Sequence, residues 1–293
     1  MIDGGPGRVT VSGGEMSFVD VGPPEAPPVV LLHGFPTSSF IWRSFLASFA
    51  TEMRVIAPDL LGAGASDARP EGPLDAEAQA AYVRDLLTSL DVSTFAVVGH
   101  GDGGTIAQLL AVGDDVPAVV LIDSAGPEAS PAAAIERALG RTGSDPVSYV
   151  GEVLSRGSAR PERISQDVAA EYARPFVRPG GDRALLRWAA AAGAYPSVLG
   201  DRIAELDVPT FLLWGEEDPF VPPDVADALN DRIATSSLAL LPGCGHFLPE
   251  EAAPTIVPLV AQWLSGRYLG KAHSHAHGPV PVRLETGRSE ADG

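Results

Sequence analysis

The sequence predicts an α/β protein: a mostly parallel sheet covered by helices on both faces and interrupted by an all-helical insertion. Three observations predict it. Short apolar runs alternate with segments whose apolar residues recur every three to four positions. The alternation stops between about 124 and 207. One strand-like run also ends in a turn framed by glycines, Gly99-His100-Gly101-Asp102-Gly103-Gly104.

Taken in order, strands are predicted over 16–21, 29–33, 53–57, 95–98, 119–123, 210–214 and 237–241, each an apolar run of strand length. Helices are predicted over 40–49, 74–90, 105–112, 224–233 and 253–264, where apolar side chains share one face. Four more helices are predicted over 132–141, 145–156, 161–174 and 182–194, with no strand among them. Such an insertion is expected to sit as a cap over the strand ends, where open α/β sheets bind ligands. The chain thus divides into a first core part (1–123), a helical cap (124–207), a second core part (208–269) and a tail (270–293). The tail mixes Gly, Pro, His and charges without periodicity and is expected to be disordered.

With 293 residues, 45% of them hydrophobic, the chain can bury a large core. A formal charge of −18 opposes binding to nucleic acid and to anionic membranes, which leaves a small molecule as the expected partner of a monomer or homodimer. The glycine-rich start holds no apolar stretch of signal-peptide length, and no run approaches the roughly 20 apolar residues of a membrane span, so a cytoplasmic location is expected. Cys244 is the only cysteine, so neither an intrachain disulfide nor a cysteine-based zinc cluster can form. No metal or cofactor is expected. His273, His275 and His277 alternate in the tail, but that spacing binds metal only where surrounding groups hold the rings in place.

The glycine-framed turn has the spacing of a strand-to-helix elbow that displays a reactive side chain, because strand and helix pass too close for anything but small residues two before and two after it. Gly99 and Gly103 supply that spacing, and the residue they display is Gly101. His33-Gly34-Phe35-Pro36 follows a buried-type strand, and its glycine lets backbone amides approach a ligand. The amides of Phe35 and Asp102 are the candidates for an oxyanion hole. Further on, Trp214-Gly215-Glu216-Glu217-Asp218 ends a strand in an acidic turn, and Gly243-Cys244-Gly245-His246 places a histidine in a glycine-flanked loop. Elbow, acid and histidine in this order are the chain order of one known catalytic arrangement.

On these motifs the chain resembles the α/β-hydrolase superfamily from about residue 9 to 269, together with Pro58-Asp59-Leu60-Leu61-Gly62-Ala63-Gly64 and Leu121-Ile122-Asp123-Ser124. The stretch from His33 to Trp42 and the helical insertion are most similar to the epoxide hydrolase and haloalkane dehalogenase branch. The resemblance implies an eight-stranded sheet, Asp218 and His246 as acid and base, and Phe35 and Asp102 as oxyanion amides. Gly101 stands where the family carries serine or aspartate. Dehalogenases use asparagine and tryptophan as halide donors where Phe35 and Asp102 stand here, whereas epoxide hydrolases use cap tyrosines, for which Tyr149, Tyr172 and Tyr195 are candidates. Trp188 in the insertion and His33, Trp42 and His100 in the core complete the residues expected to face substrate.

With no side chain at Gly101, the expected chemistry is hydrolysis of an ester, epoxide or related bond by water that His246 and Asp218 activate. Asp102 as a displaced nucleophile would need small residues at 100 and 104, and position 100 is His100. Its side chain is rotated by roughly 100° from its neighbour on the emerging helix, so it is expected along the pocket wall, at the positive helix start. Three alternatives stand beside hydrolysis. The same dyad can take a proton from substrate, giving elimination, cyclisation or cofactor-free oxygenation. The fold can serve as a binding protein without turnover, since glycine relieves backbone strain at the elbow. Finally, Gly99-x-Gly101-x-x-Gly104 with Asp123 formally matches a dinucleotide fingerprint, although Asp102 would set a carboxylate against the pyrophosphate.

Overall fold

A computed structural model describes residues 6–67, 72–125, 145–192, 200–270 and 282–283. The strands are β1 (Gly7–Val11), β2 (Gly14–Val21), β3 (Pro28–Leu32), β4 (Arg54–Pro58), β5 (Ala96–His100), β6 (Val119–Ile122), β7 (Thr210–Gly215), β8 (Ser236–Leu241) and a two-residue β9 (Val282–Arg283). They form one sheet in the order β1-β2-β4-β3-β5-β6-β7-β8-β9. β2 is antiparallel to both β1 and β4, and the other neighbours run parallel. The parallel strands β5, β6 and β7 are buried at every position, as a sheet covered on both faces requires.

Two features depart from the sequence expectation. β1 forms where no strand is predicted, because its only apolar side chains are Val9 and Val11, too few for an apolar run. Within the tail expected to be disordered, Val282 and Arg283 pair with Ala239 and Leu240 of β8. β8 would otherwise end the sheet with unpaired backbone groups, and a short added strand satisfies them. The histidines of the tail lie outside the described residues.

The helices are α1 (Arg43–Phe49), α2 (Ala76–Ser89), α3 (Asp102–Gly113), α4 (Pro146–Gly157), α5 (Gln166–Ala173), α6 (Gly181–Ala192), α7 (Pro223–Arg232), α8 (Leu248–Glu251) and α9 (Ala253–Arg267). Local chemistry starts several of them. Asp75, Asp145 and Ser165 each accept a hydrogen bond from the third amide onward, at the heads of α2, α4 and α5. None of the described helices is long and apolar enough to cross a membrane.

Between β6 and β7 the described residues form only helices and 3₁₀ turns. Several contacts fasten this insertion to the core. The Gly157 carbonyl at the end of α4 accepts from the His246 amide at 2.7 Å. Trp188 of α6 packs edge-on against Phe35, with centroids 5.0 Å apart. Tyr172 of α5 donates its hydroxyl proton to Glu250, a carboxylate also held bidentately by Arg43 at 2.6 Å. The chain visits β3 and β4 on one side and β5 on the other, so the strand order reverses between β3 and β5. A crevice at such a reversal is the ligand position of open α/β sheets.

Removing the hydroxyl that links cap to core, by Tyr172→Phe, is expected to lower the unfolding free energy by about 1.5–3 kcal/mol, the worth of a hydrogen bond to a charged group. Urea denaturation of the two proteins measures it.

Candidate active site

The elbow between β5 and α3 is built by crowding. A Cβ on Gly99 would lie 2.5 Å from the Gly103 carbonyl oxygen, and one on Gly34 would lie 2.7 Å from the His100 carbonyl oxygen and 3.0 Å from the Asp102 nitrogen. Glycine at 99, 103 and 34 is therefore what lets β5, α3 and the loop after β3 meet. Gly101 sits at the apex with φ 54° and ψ −122°, a backbone conformation strained for any residue with a Cβ. A Cβ there would point at His246, 3.3 Å from Nε2, and would lie 3.7 Å from the Gly34 Cα.

His246 and Asp218, far apart in sequence, meet through a hydrogen bond of 2.8 Å between Nδ1 and Oδ2. β7 carries Asp218 past its end, and the turn fixes the carboxylate by giving Oδ1 the amides of Phe220 at 2.7 Å and Val221 at 2.9 Å. The acidic partner holds the ring proton on Nδ1, so Nε2, the nitrogen facing Gly101, is the basic one. The backbone of His246 is itself clamped: its amide donates to Gly157, and its carbonyl accepts from Nε2 of His100 at 2.8 Å. Phe220 covers one side of the ring at 5.3 Å between centroids.

Asp102 stands in the first turn of α3, at the helix start where it is expected. Its side chain makes no cap to its own helix but reaches across to the loop after β3, where Oδ2 accepts from the Phe35 amide at 3.2 Å. The Phe35 amide is thereby engaged, which corrects its assignment as an oxyanion donor standing open to substrate. The carboxyl group is 4% exposed, and Oδ1 is buried without a partner among the described residues. Burial pushes this carboxyl up to about 6, although the Phe35 amide and the charge of His246 pull the other way.

Four residues expected to face substrate have structural partners instead. His33 accepts from the Leu60 amide at Nε2 (2.9 Å) and is fully buried, which brings its imidazole down to about 4 and keeps it neutral. His100 is likewise buried, brought down to about 3, and committed to the carbonyl of His246. Trp42 is fully buried and packs edge-on against Phe45 at 5.0 Å, its indole nitrogen without a partner among the described residues. Tyr172 belongs to the cluster with Glu250 and Arg43. Two candidates remain beside the site: Tyr149 and Trp188 flank Phe35, and the hydroxyl of the first and the indole nitrogen of the second are buried without partners among the described residues. Tyr195 lies outside the described residues.

Two supporting acids hold roles that sequence reasoning missed. Asp123, at φ 47° just past β6, accepts from the Gly215 amide at 2.8 Å, and burial together with the nearby Asp218 raises its carboxyl well above the usual range. That placement replaces the ribose-binding role it would have in a dinucleotide site. Glu251 accepts from the amides of Gly245 and Arg160, each at 3.1 Å, and so joins the histidine loop to the cap. An acid in the first turn of a short helix ordinarily reads as a solvated charge, so no sequence signal marks it. No group of three or more His, Cys, Asp or Glu that could hold a metal occurs among the described residues.

A sheet of this order, with an elbow after β5, an acid after β7 and a histidine after β8, defines the α/β-hydrolase class. Residues 29–257 match the alpha/beta hydrolase family, and the chain belongs to that family. It is 30% identical over 265 residues to the magnesium-chelatase 30 kDa subunit of Rhodobacter capsulatus, covering 85% of this chain and 90% of that protein. It is 28% identical over 275 residues to a haloalkane dehalogenase of Mycolicibacterium paratuberculosis, covering 85% and 87%. The solved structure of the epoxide hydrolase CorEH superposes with a TM-score of 0.78 at 25% identity, covering 90% of this chain and 99% of that one.

Two outcomes follow from the geometry. Gly101→Ala puts a Cβ into a conformation that costs about 1–3 kcal/mol, so urea denaturation is expected to show an unfolding free energy lower by that amount. Asp102 contributes the opposite way to an ordinary carboxylate: its folded pKa lies above its unfolded value of 3.8, so its stabilising effect is present below pH 3.8 and lost as pH rises through about 6. The shift amounts to about 3 kcal/mol. Asp102→Asn does not titrate, and its stability relative to wild type is expected to climb by up to that much between pH 4 and 7.5 in unfolding measurements.

Proposed function

We propose that this protein is a hydrolase of a small, largely apolar molecule carrying an ester, epoxide or related bond, in which His246, oriented by Asp218, activates water directly and no covalent intermediate forms at position 101. The observation that carries the reading is the 3.3 Å between His246 Nε2 and the point where a side chain would begin on Gly101. In a relative with serine or aspartate there, that point starts the nucleophile. Here it is within reach of a water molecule hydrogen-bonded to Nε2. The water loses its proton to Nε2 as its oxygen attacks, and Asp218 stabilises the imidazolium that results.

The surroundings support an apolar substrate. Phe35, Tyr149, Trp188 and Phe220 present ring faces and edges around the dyad and the elbow. The family's hydrolase members, an epoxide hydrolase and a haloalkane dehalogenase among those similar to this chain, support hydrolysis over the proton-abstraction alternatives.

His246→Ala is expected to lower turnover of a hydrolysed ester or epoxide by roughly 10²–10⁴, the usual worth of a positioned base. In H₂¹⁸O the wild-type product is expected to carry the label. Product formed without ¹⁸O defeats hydrolysis and favours elimination or cyclisation, and a His246→Ala protein that turns over unimpaired defeats the role of the dyad.

A further inference from the structure

We propose that Glu251 is a positioning residue of the reaction: its buried carboxylate joins the loop that carries His246 to the stretch of cap that follows α4, and so aims the imidazole at Gly101. The inference rests on the reading that His246 is the base and names a further residue on which that base depends.

The bonding around this carboxylate is particular. Glu251 is 3% exposed. Oε1 accepts from the Gly245 amide and Oε2 from the Arg160 amide, each at 3.1 Å. The amides of Ala159 and Phe247 bear on the same group. One side chain is therefore met by the amides just before and just after His246 in the chain, and by two amides of the cap. The Phe247 contact alone is ordinary capping, since α8 starts there and an acid of the first turn commonly reaches back to such an amide. Gly245, Ala159 and Arg160 lie outside α8, so capping does not account for them.

What these donors hold is the backbone of His246. Its own amide donates to the Gly157 carbonyl at 2.7 Å, and its carbonyl accepts from Nε2 of His100 at 2.8 Å. Loop and cap close on each other without room for side chains: a Cβ on Gly245 would collide with the Gly157 carbonyl oxygen and lie 2.7 Å from the Ala159 nitrogen. The Arg163 guanidinium adds a tie by donating to the Glu251 carbonyl at 2.8 Å.

Converging N–H groups in so closed a place need an acceptor with two oxygens, which a carboxylate supplies and a side-chain amide does not. Without it, buried donors of loop and cap lose their partner, and the loop shifts to satisfy them. Such a shift carries the imidazole with it. The 2.8 Å bond from Nδ1 to Asp218 and the 3.3 Å approach of Nε2 to the point above Gly101 both change. The Glu251 oxygens are themselves engaged by backbone amides, so the effect on rate passes through His246.

The full chain is compared with Glu251→Gln and His246→Ala by proton NMR. The Nδ1 proton that His246 shares with Asp218 resonates far downfield of ordinary amide protons and reads the ring's placement without any substrate. Wild type is expected to show this resonance and His246→Ala to lack it, which assigns it. Glu251→Gln, equal in size but with one acceptor oxygen, is expected to lose or shift it while its circular dichroism stays that of the wild type. With p-nitrophenyl butyrate as probe, its kcat is expected to fall roughly 100-fold, the cost of a misplacement on the order of 1 Å, with KM within about twofold of wild type. An unshifted resonance in folded Glu251→Gln, or a kcat within about threefold of wild type, overturns the proposal and leaves Glu251 a tie between loop and cap. If Glu251→Gln does not fold, Glu251→Asp carries the same expectations, because it keeps the charge but is a methylene too short to meet Gly245 and Arg160 together. Hydrogen exchange in the wild type needs no variant: the Gly245 and Arg160 amides are expected to be protected like that of His246, and rapid exchange of either overturns the proposal. A wild type that hydrolyses neither ester nor epoxide removes the proposed function, and the resonance alone then decides the role of Glu251.

Discussion

The hydrogen bond between His246 and Asp218 is the interaction on which the rest of this structure depends, and most of the polar groups near it serve to hold its two ends still. The loop of His246 is anchored through its backbone on both sides, by Gly157 of the cap and by His100 of the core. Asp218 is held through its second oxygen by two amides of its own turn. Glu251 adds amides from the histidine loop and from the cap. A base whose Nδ1 partner or loop could drift would expose either tautomer to the elbow, and the clamps remove that freedom.

The same clamps make the cap part of the site. Because the end of α4 supplies the acceptor for the His246 amide, the orientation of the imidazole ring is set partly by the insertion and partly by the sheet. Arg43, Glu250 and Tyr172 form a second tie on the other side, with the Arg43 guanidinium 4.3 Å above Phe40 and Phe40 edge-on to Tyr172. Burial of Glu250 is tolerable because it is shared between a bidentate arginine and a hydroxyl. The insertion, tied at both places, packs Tyr149 and Trp188 against Phe35 beside the strand ends.

Much of the fold is legible in the sequence because its signals are local. The central strands are continuous apolar runs, and α4 over 146–157 begins at the Asp145-Pro146 pair, a cap residue followed by a proline that suits a first turn. The elbow is legible for a steric reason, since β5 and α3 can pass this closely only where positions 99 and 103 carry no side chain. What the sequence does not show is which partner each buried polar group finds. His33 and His100 carry the residue type of a catalytic base, yet burial beside a particular amide or carbonyl makes them structural. Asp102 is placed by its sequence at the helix start, but helical rotation fixes where a side chain starts and not which amide of a distant loop it meets. Val282 and Arg283 pair with β8 through backbone groups, a contact that no side-chain pattern announces.

Gly101 and Asp102 act as a pair. Elsewhere in this family the elbow joins backbone strain to a reactive side chain, and the strain is tolerated because it displays that side chain to the histidine. Here glycine keeps the same φ and ψ without the strain, so the geometry survives although its usual reason is gone. The next residue then places a carboxyl on the amide that an acyl-transfer oxyanion would use. Engaging it with a buried carboxyl leaves the loop after β3 tied to the start of α3 through that amide.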